Sequence, residues 1–179
     1  MVQRVIAVCS DGEHRFSKQL TDRIEIIAGL GVSGDAHAGE KVQHLSRVRA
    51  DPEQPNLRQV HLMHAELFEE LSGKGFSIRP GDLGENITTA GIDLLALGRD
   101  TRLRIGPDAV LKVTGLRNPC GQIDTFARGL LKEVAIKTAD GIVRKAGIMT
   151  IAEAGGVVEP GDAIEVVSPD GPHIPLERV

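Results

Sequence analysis

Cys120 stands in the run TGLRNPCGQID at residues 114–124, three residues after Arg117 and between Pro119 and Gly121. Proline and glycine punctuate a turn, so the thiol is expected to project from a loop. A nearby guanidinium favours the thiolate, the form that attacks electrophiles and binds soft metals. The competing reading is a small buried core residue, because free cysteines are often buried. Metal ligation or nucleophilic sulfur chemistry is the activity this spacing would serve.

Three other polar runs could carry chemistry. GVSGDAHAGE (31–40) sets Gly34, Asp35 and His37 among small residues, where backbone can wrap closely around a ligand or form an anion nest. It matches neither a phosphate-binding loop nor a dinucleotide fingerprint, and it reads equally as a loop between strands. VHLMHAE (60–66) holds His61 and His64 three apart with Glu66 close by. Leu62 occupies the position a zinc-protease glutamate would need, so the pair is a proton-handling candidate or simply a helix entry. PGDLGEN (80–86) gathers Asp82, Glu85 and Asn86 on a tight turn. Those groups can orient a ligand, or hydrogen-bond their own backbone. Arg144 and Lys145 precede an apolar run and are read as a solvated strand start or an anion contact.

Composition narrows the classes. The 179 residues suit one domain, and the 41% apolar and 26% charged content is ordinary for a globular protein. Net charge is −4, with no basic block, and the chain has four Phe but neither Trp nor Tyr. Nucleic-acid binding thus lacks both its electrostatic and its stacking component. Acid–base work falls to His, Asp, Glu, Lys or Cys. The two cysteines, Cys9 and Cys120, make neither a disulfide framework nor a CxxC zinc pair. No apolar run approaches a bilayer span, and the N-terminus reads as a first strand, so no membrane partner and a cytoplasmic location are expected.

The elements that must position these residues are mostly short strands. Segments 2–9, 24–32, 58–63, 85–89, 101–105, 109–115, 142–151 and 162–168 are rich in Val, Ile and Thr and are bounded by Gly, Pro and Asp. One helix is predicted over 64–71, with Leu67, Phe68 and Leu71 on one side and Gly73 as its stop. A weaker one is predicted over 124–135, with Phe126, Leu130, Leu131 and Val134 inward. Residues 50–56 read as an exposed loop. The fold class expected is mainly β with a few helices, a barrel or a sandwich, and the frequent glycines would let strands bend at a barrel's corners.

Taken in order, GDAHAG, the His61–His64 segment, PGDLGENITTAGIDLLALG, RNPCGQID and AGIMTIAEAGGVVEPGDAIEV resemble the MOSC domain, the module also found at the C-terminus of molybdenum-cofactor sulfurases. The resemblance covers roughly residues 20–168 of a single domain, 1–179. It implies a MOSC-type β-barrel that binds the molybdenum cofactor (molybdopterin), with Cys120 as metal ligand or sulfur carrier. By the same resemblance Gly34, Asp35, His37, Asp82, Glu85, Asn86, Arg117 and Asn118 are cofactor-binding candidates, and Cys120, His61, His64 and Glu66 catalytic ones. Some stand-alone members reduce N-hydroxylated bases; with no electron-transfer domain evident, a separate redox partner is expected here. The alternatives are a persulfide carrier served by a sulfur donor protein, and a non-catalytic cofactor-binding module. No pyridoxal phosphate is expected on this chain. The oligomeric state is left open, a homodimer included.

Overall fold

Glycine and proline punctuation divides the chain into many short strands, and burial alternation tells which face of each is inward. The computed structural model describes residues 2–179. The strands are β1 (Arg4–Ser10), β2 (Gln19–Thr21), β3 (Ile24–Ile27), β4 (Gly31–Val32), β5 (Val60–His64), β6 (Ile87–Ala90), β7 (Arg102–Ile105), β8 (Ala109–Leu116), β9 (Ala135–Thr138), β10 (Gly141–Arg144), β11 (Ile148–Ala154), β12 (Gly156–Val158) and β13 (Ile164–Val167). The α-helices are α1 (Leu45–Ala50), α2 (Ala65–Ser72), α3 (Gln122–Phe126) and α4 (Leu131–Val134).

The main sheet runs β13-β7-β8-β11-β5-β6-β1-β2, antiparallel except for the β5–β6 pair, which α2 connects. Small sheets β12-β3-β4 and β10-β9 complete the β structure. Along β8 buried and half-buried residues alternate without a break, the signature of one face on the core. Register shifts between β11 and β8 and between β1 and β6 bend the sheet around that core. Its interior holds Val5, Leu62, Ile87, Leu103, Leu111 and Ile148 among others. A second apolar cluster, with Met63, Leu67, Leu71, Leu83, Ile123 and Leu130, seats α2, α3 and α4 on the outside.

The mainly β architecture is as expected, but the sheet does not close into a barrel. Its ends approach only at the isolated bridge Arg4–Ala163 and the hydrogen bonds around it, such as Val5 N–H to the Asp162 carbonyl at 2.8 Å. The reason lies in β1. One side is filled by β6 and the outer side, over Val8–Ser10, by β2, so β13 reaches only its Arg4 end.

Three other expectations are corrected. The predicted 124–135 helix is two short pieces, because Gly129 takes a left-handed φ of +86° between them. Phe126 is accordingly turned out, at 38% exposure, while Leu130 and Val134 are buried. The 142–151 strand is broken at Gly147, with a φ of +85°. A Cβ there would lie 2.1 Å from the Leu62 carbonyl oxygen, so only glycine lets this chain pass β5. The 24–32 strand is a hairpin, β3 and β4. The predicted α2 forms over Ala65–Ser72, with Leu67 and Leu71 inward and Glu66 in its first turn.

Candidate functional site

A cleft of about 530 Å³ opens where the 114–124 loop, the 31–40 loop and residues 41–58 meet. The cysteine loop is set by β8. Arg117 N–H donates to the Gly147 carbonyl at 3.0 Å, and Ile123 N–H donates to the Cys120 carbonyl at 3.0 Å as α3 begins. Ile123 is fully buried and anchors the turn, so half-buried Cys120 is left facing the cleft. Its thiol lies 3.5 Å from Gln122 Oε1.

The walls are cationic. Arg15, Lys18, Arg47, Arg49, Arg58 and Arg117 line the cleft, and among the described residues no Asp or Glu does. Two of these charges are already satisfied. Lys18 pairs with Asp35 at 2.6 Å, both side chains buried, and Arg15 pairs with Asp11 and Glu13. Arg47, Arg49, Arg58 and Arg117 form no ion pair among the described residues. Arg58 Nε and Arg117 Nη1 are shielded from solvent and have no acceptor. Burial, then the like charges of Arg47 and Arg117, push Arg58 down to about 10. Burial also lowers Arg117, opposed by Cys120 and Glu85. The Arg117 guanidinium rests over the Phe16 ring at 5.7 Å. Buried cationic donors without acceptors are costly, and a bound anion would offset that cost.

Four histidines border the same space, His61 from the floor and His14, His37 and His44 from the loops. The rings of His14 and His37 are 5.5 Å apart and those of His37 and His44 are 6.4 Å apart. His37 Nδ1 is 3.3 Å from Lys18 Nζ. Burial, with Arg58 next, lowers His44. Among the described residues no group of three or more His, Cys, Asp or Glu side chains could hold a metal ion. A metal at Cys120 must therefore arrive with ligands of its own.

Residues 34–165 match the family model of the MOSC domain. The chain belongs to the MOSC domain family. That family is commonly molybdenum-cofactor-binding. The MOSC chain is similar to the YuaD protein from Bacillus subtilis, with 26% identity, a TM-score of 0.74, and coverage of 95% of this chain and 98% of that one. It shares its fold with YiiM from Geobacillus stearothermophilus, at 16% identity and a TM-score of 0.69 over 97% of this chain and 79% of that one. YiiM from Escherichia coli is 18% identical, with a TM-score of 0.63 over 96% of this chain and 73% of that one. Comparison with curated protein sequences finds no match. No helix among the described residues is long and apolar enough to cross a membrane.

Within the MOSC domain the sequence candidates separate into two groups. Cys120, Arg117, Asn118, His37, Asn86 and His61 line the cleft. Asn118 Oδ1 accepts from Arg144 Nε at 3.2 Å. Asn86 clamps the floor: its Oδ1 accepts from the His61 N–H at 3.1 Å, and its Nδ2 donates to the Cys9 carbonyl and to Asp35 Oδ2. Asp35 is a hub behind the wall, accepting from Lys18 and from the Asp11 and His37 backbone N–H groups. Burial alone would raise its pKa, but the bonds from His37 and the Lys18 charge outweigh it and hold the carboxylate well below its usual range. His61 is buried and its Nε2 pairs with the Ala146 carbonyl at 2.8 Å. Burial first, then Arg117, keeps it neutral.

Gly34, Asp82, Glu85, His64 and Glu66 do not line the cleft. His61 and His64 part company because β5 is a strand, so residues three apart face opposite sides. Glu66 Oε1 instead accepts from the Gly91 N–H at 2.7 Å. Asp82 closes its own turn by accepting from the Arg79 N–H at 2.9 Å, and fully buried Glu85 accepts from the Gly81 N–H at 2.7 Å. The glycines of that turn pack closely on protein, a Cβ at Gly81 or Gly84 striking the Lys18 or Phe16 carbonyl at 2.5 Å, and Gly84 also borders the cleft. Arg58, Lys18, His14, His44, Arg47 and Arg49 had no motif to announce them: Arg58 opens a predicted strand, and the others lie outside the polar runs singled out in the sequence.

Proposed function

We propose that this MOSC domain binds the molybdenum cofactor in the cleft, with Cys120 Sγ as a ligand to the metal. Arg58 and Arg117 hold the anionic part of the cofactor, Asn118 supplies a polar contact, and Asn86 fixes the floor beneath it. The carrying observation is the pair of shielded guanidinium N–H groups without acceptors, beside a half-buried thiol. This donor set fits an anionic, metal-bearing ligand: guanidinium N–H groups suit phosphate, and thiolate suits a soft metal environment. A persulfide carrier needs the thiol but has no use for four unpaired arginines, so the cofactor reading accounts for more of the cleft.

The reaction we propose is reduction of an N-hydroxylated compound by a separate redox partner. The N–O bond breaks, and two electrons and two protons convert R–NHOH to R–NH₂ and water. When bound, the cofactor supplies the two-electron chemistry. The chain's own part is to hold it and to deliver protons. His37, whose Nδ1 lies beside Lys18 Nζ and Asp35 Oδ1, serves the departing oxygen, and His14 and His44 continue the row. His61 positions this floor, since its Nε2 proton is committed to Ala146.

Cys120→Ala, produced in a cofactor-competent host, is the test. Molybdenum per chain is expected to fall at least about tenfold, and turnover with a reduced dye to vanish. Retained molybdenum refutes the ligand role. Pterin retained without turnover or metal would favour a storage module, and a stable gain of one sulfur on wild-type Cys120 a persulfide carrier.

A further inference from the structure

Arg47 and Arg49 sit on α1, a six-residue helix that buries nothing, so core packing does not hold them at the cleft. The neck of their loop does. Val42 N–H donates to the Gln54 carbonyl at 3.0 Å, Asn56 N–H donates to the Glu40 carbonyl at 2.9 Å, and Lys41 bridges to Pro55. Lys41 also pairs with Glu53. Asn56 Nδ2 donates to the His37 and Gly39 carbonyls at 2.8 and 3.0 Å, which ties the neck to the cleft floor. The loop is therefore a built wall with its cations turned to the cleft.

The four unpaired arginines line one cleft from different segments: Arg47 and Arg49 from α1, Arg58 from the residues before β5, and Arg117 from the cysteine loop after β8. A single phosphate ester carries about −1.5 to −2 charges, enough to compensate Arg58 and Arg117. Arg47 and Arg49 remain uncompensated, since among the described residues no carboxylate lines the cleft.

We infer that the loop bearing Arg47 and Arg49 is a second anion subsite, so that the cleft's ligands carry a phosphate group beyond the one held by Arg58 and Arg117. The chemical identity of the ligand rests on the cofactor reading above; the existence of the subsite does not. The second phosphate belongs either to a nucleotide extension of the pterin cofactor or to a phosphorylated, nucleotide-type substrate.

Equilibrium dialysis of the full chain against inorganic phosphate counts the subsites. Wild type should bind two phosphates per chain and Arg47→Ala/Arg49→Ala one, with circular dichroism unchanged because α1 buries nothing. One phosphate in wild type, with no change in the double variant, overturns the inference. Two phosphates on a chain that never acquires pterin or molybdenum sustain it while the cofactor reading fails. Two arms separate the sources. A nucleotide released one-to-one with pterin from loaded protein assigns the subsite to the cofactor. Absence of nucleotide, with KM of the double variant rising about tenfold more for an N-hydroxylated nucleoside monophosphate than for the free base, assigns it to the substrate.

Discussion

Two polar regions of this molecule face each other across Asn86, and they are built on opposite terms. Behind the floor, Asp35 accepts from Lys18, Asn86 and two backbone N–H groups, so buried charge meets buried charge. On the wall, Arg58 Nε and Arg117 Nη1 are shielded and find no acceptor among the described residues. A satisfied network fixes a fold; an unsatisfied one is a cost that a ligand removes. Dense polar sequence therefore does not by itself mark a binding surface. The PGDLGEN turn closes on itself through Asp82 and Glu85 and gives the cleft only Gly84 and Asn86, while the cationic wall comes from scattered positions.

The sharpest way to break this contrast is at Asp35. Asp35→Ala strands the Lys18 ammonium in the interior and should cost about 3–5 kcal/mol in denaturant unfolding. A loss below about 1 kcal/mol would mean that the hub is dispensable.

Acid should undo the same region in two windows. His61 is held neutral, its folded pKa well below the ordinary 6.5, so the unfolded chain binds the extra proton first. Its contribution is complete above about pH 6.5 and declines as pH falls, by up to about 1.4 kcal/mol per pH unit. Asp35 is the other window. Its folded pKa lies below its ordinary 3.8, so its contribution is present above that value and lost as pH falls further. Denaturation curves from pH 8 to 3 should therefore bend near 6.5 and again below 4. His61→Gln should flatten the first bend only.

The smallest effect is expected on the other side of β5. His64→Gln and Glu66→Gln should change turnover per bound molybdenum by less than about twofold, because neither residue lines the cleft. A hundredfold loss would return them to the catalytic set.

What the sequence showed follows the same division. The strand texture, α2 and the order of loops are local properties, written in β-branched residues, turns and one amphipathic repeat, and they were readable. Cys120, Arg117, Asn118, His37 and Asn86 could be named because they stand in dense local runs. Sheet closure could not be read, because it depends on which neighbour β1 accepts along each side. Nor could Arg47, Arg49 and Arg58, whose meaning arises only when the 41–58 segment folds against a loop some sixty residues away. His64 stands away from the cleft because residues three apart on a strand face opposite sides, and Glu66 because it is turned to the Gly91 N–H.

The central claim is that the arginine wall is maintained for an anion at the expense of stability, and Arg117→Met tests it most directly. The substitution keeps length and apolar bulk while removing a buried charge whose Nη1 has no hydrogen-bond acceptor among the described residues. In protein freed of cofactor, unfolding free energy should rise by about 1–2 kcal/mol, and the same variant from a cofactor-competent host should lack pterin. A variant that is less stable than wild type, yet still carries its full pterin, would contradict the account.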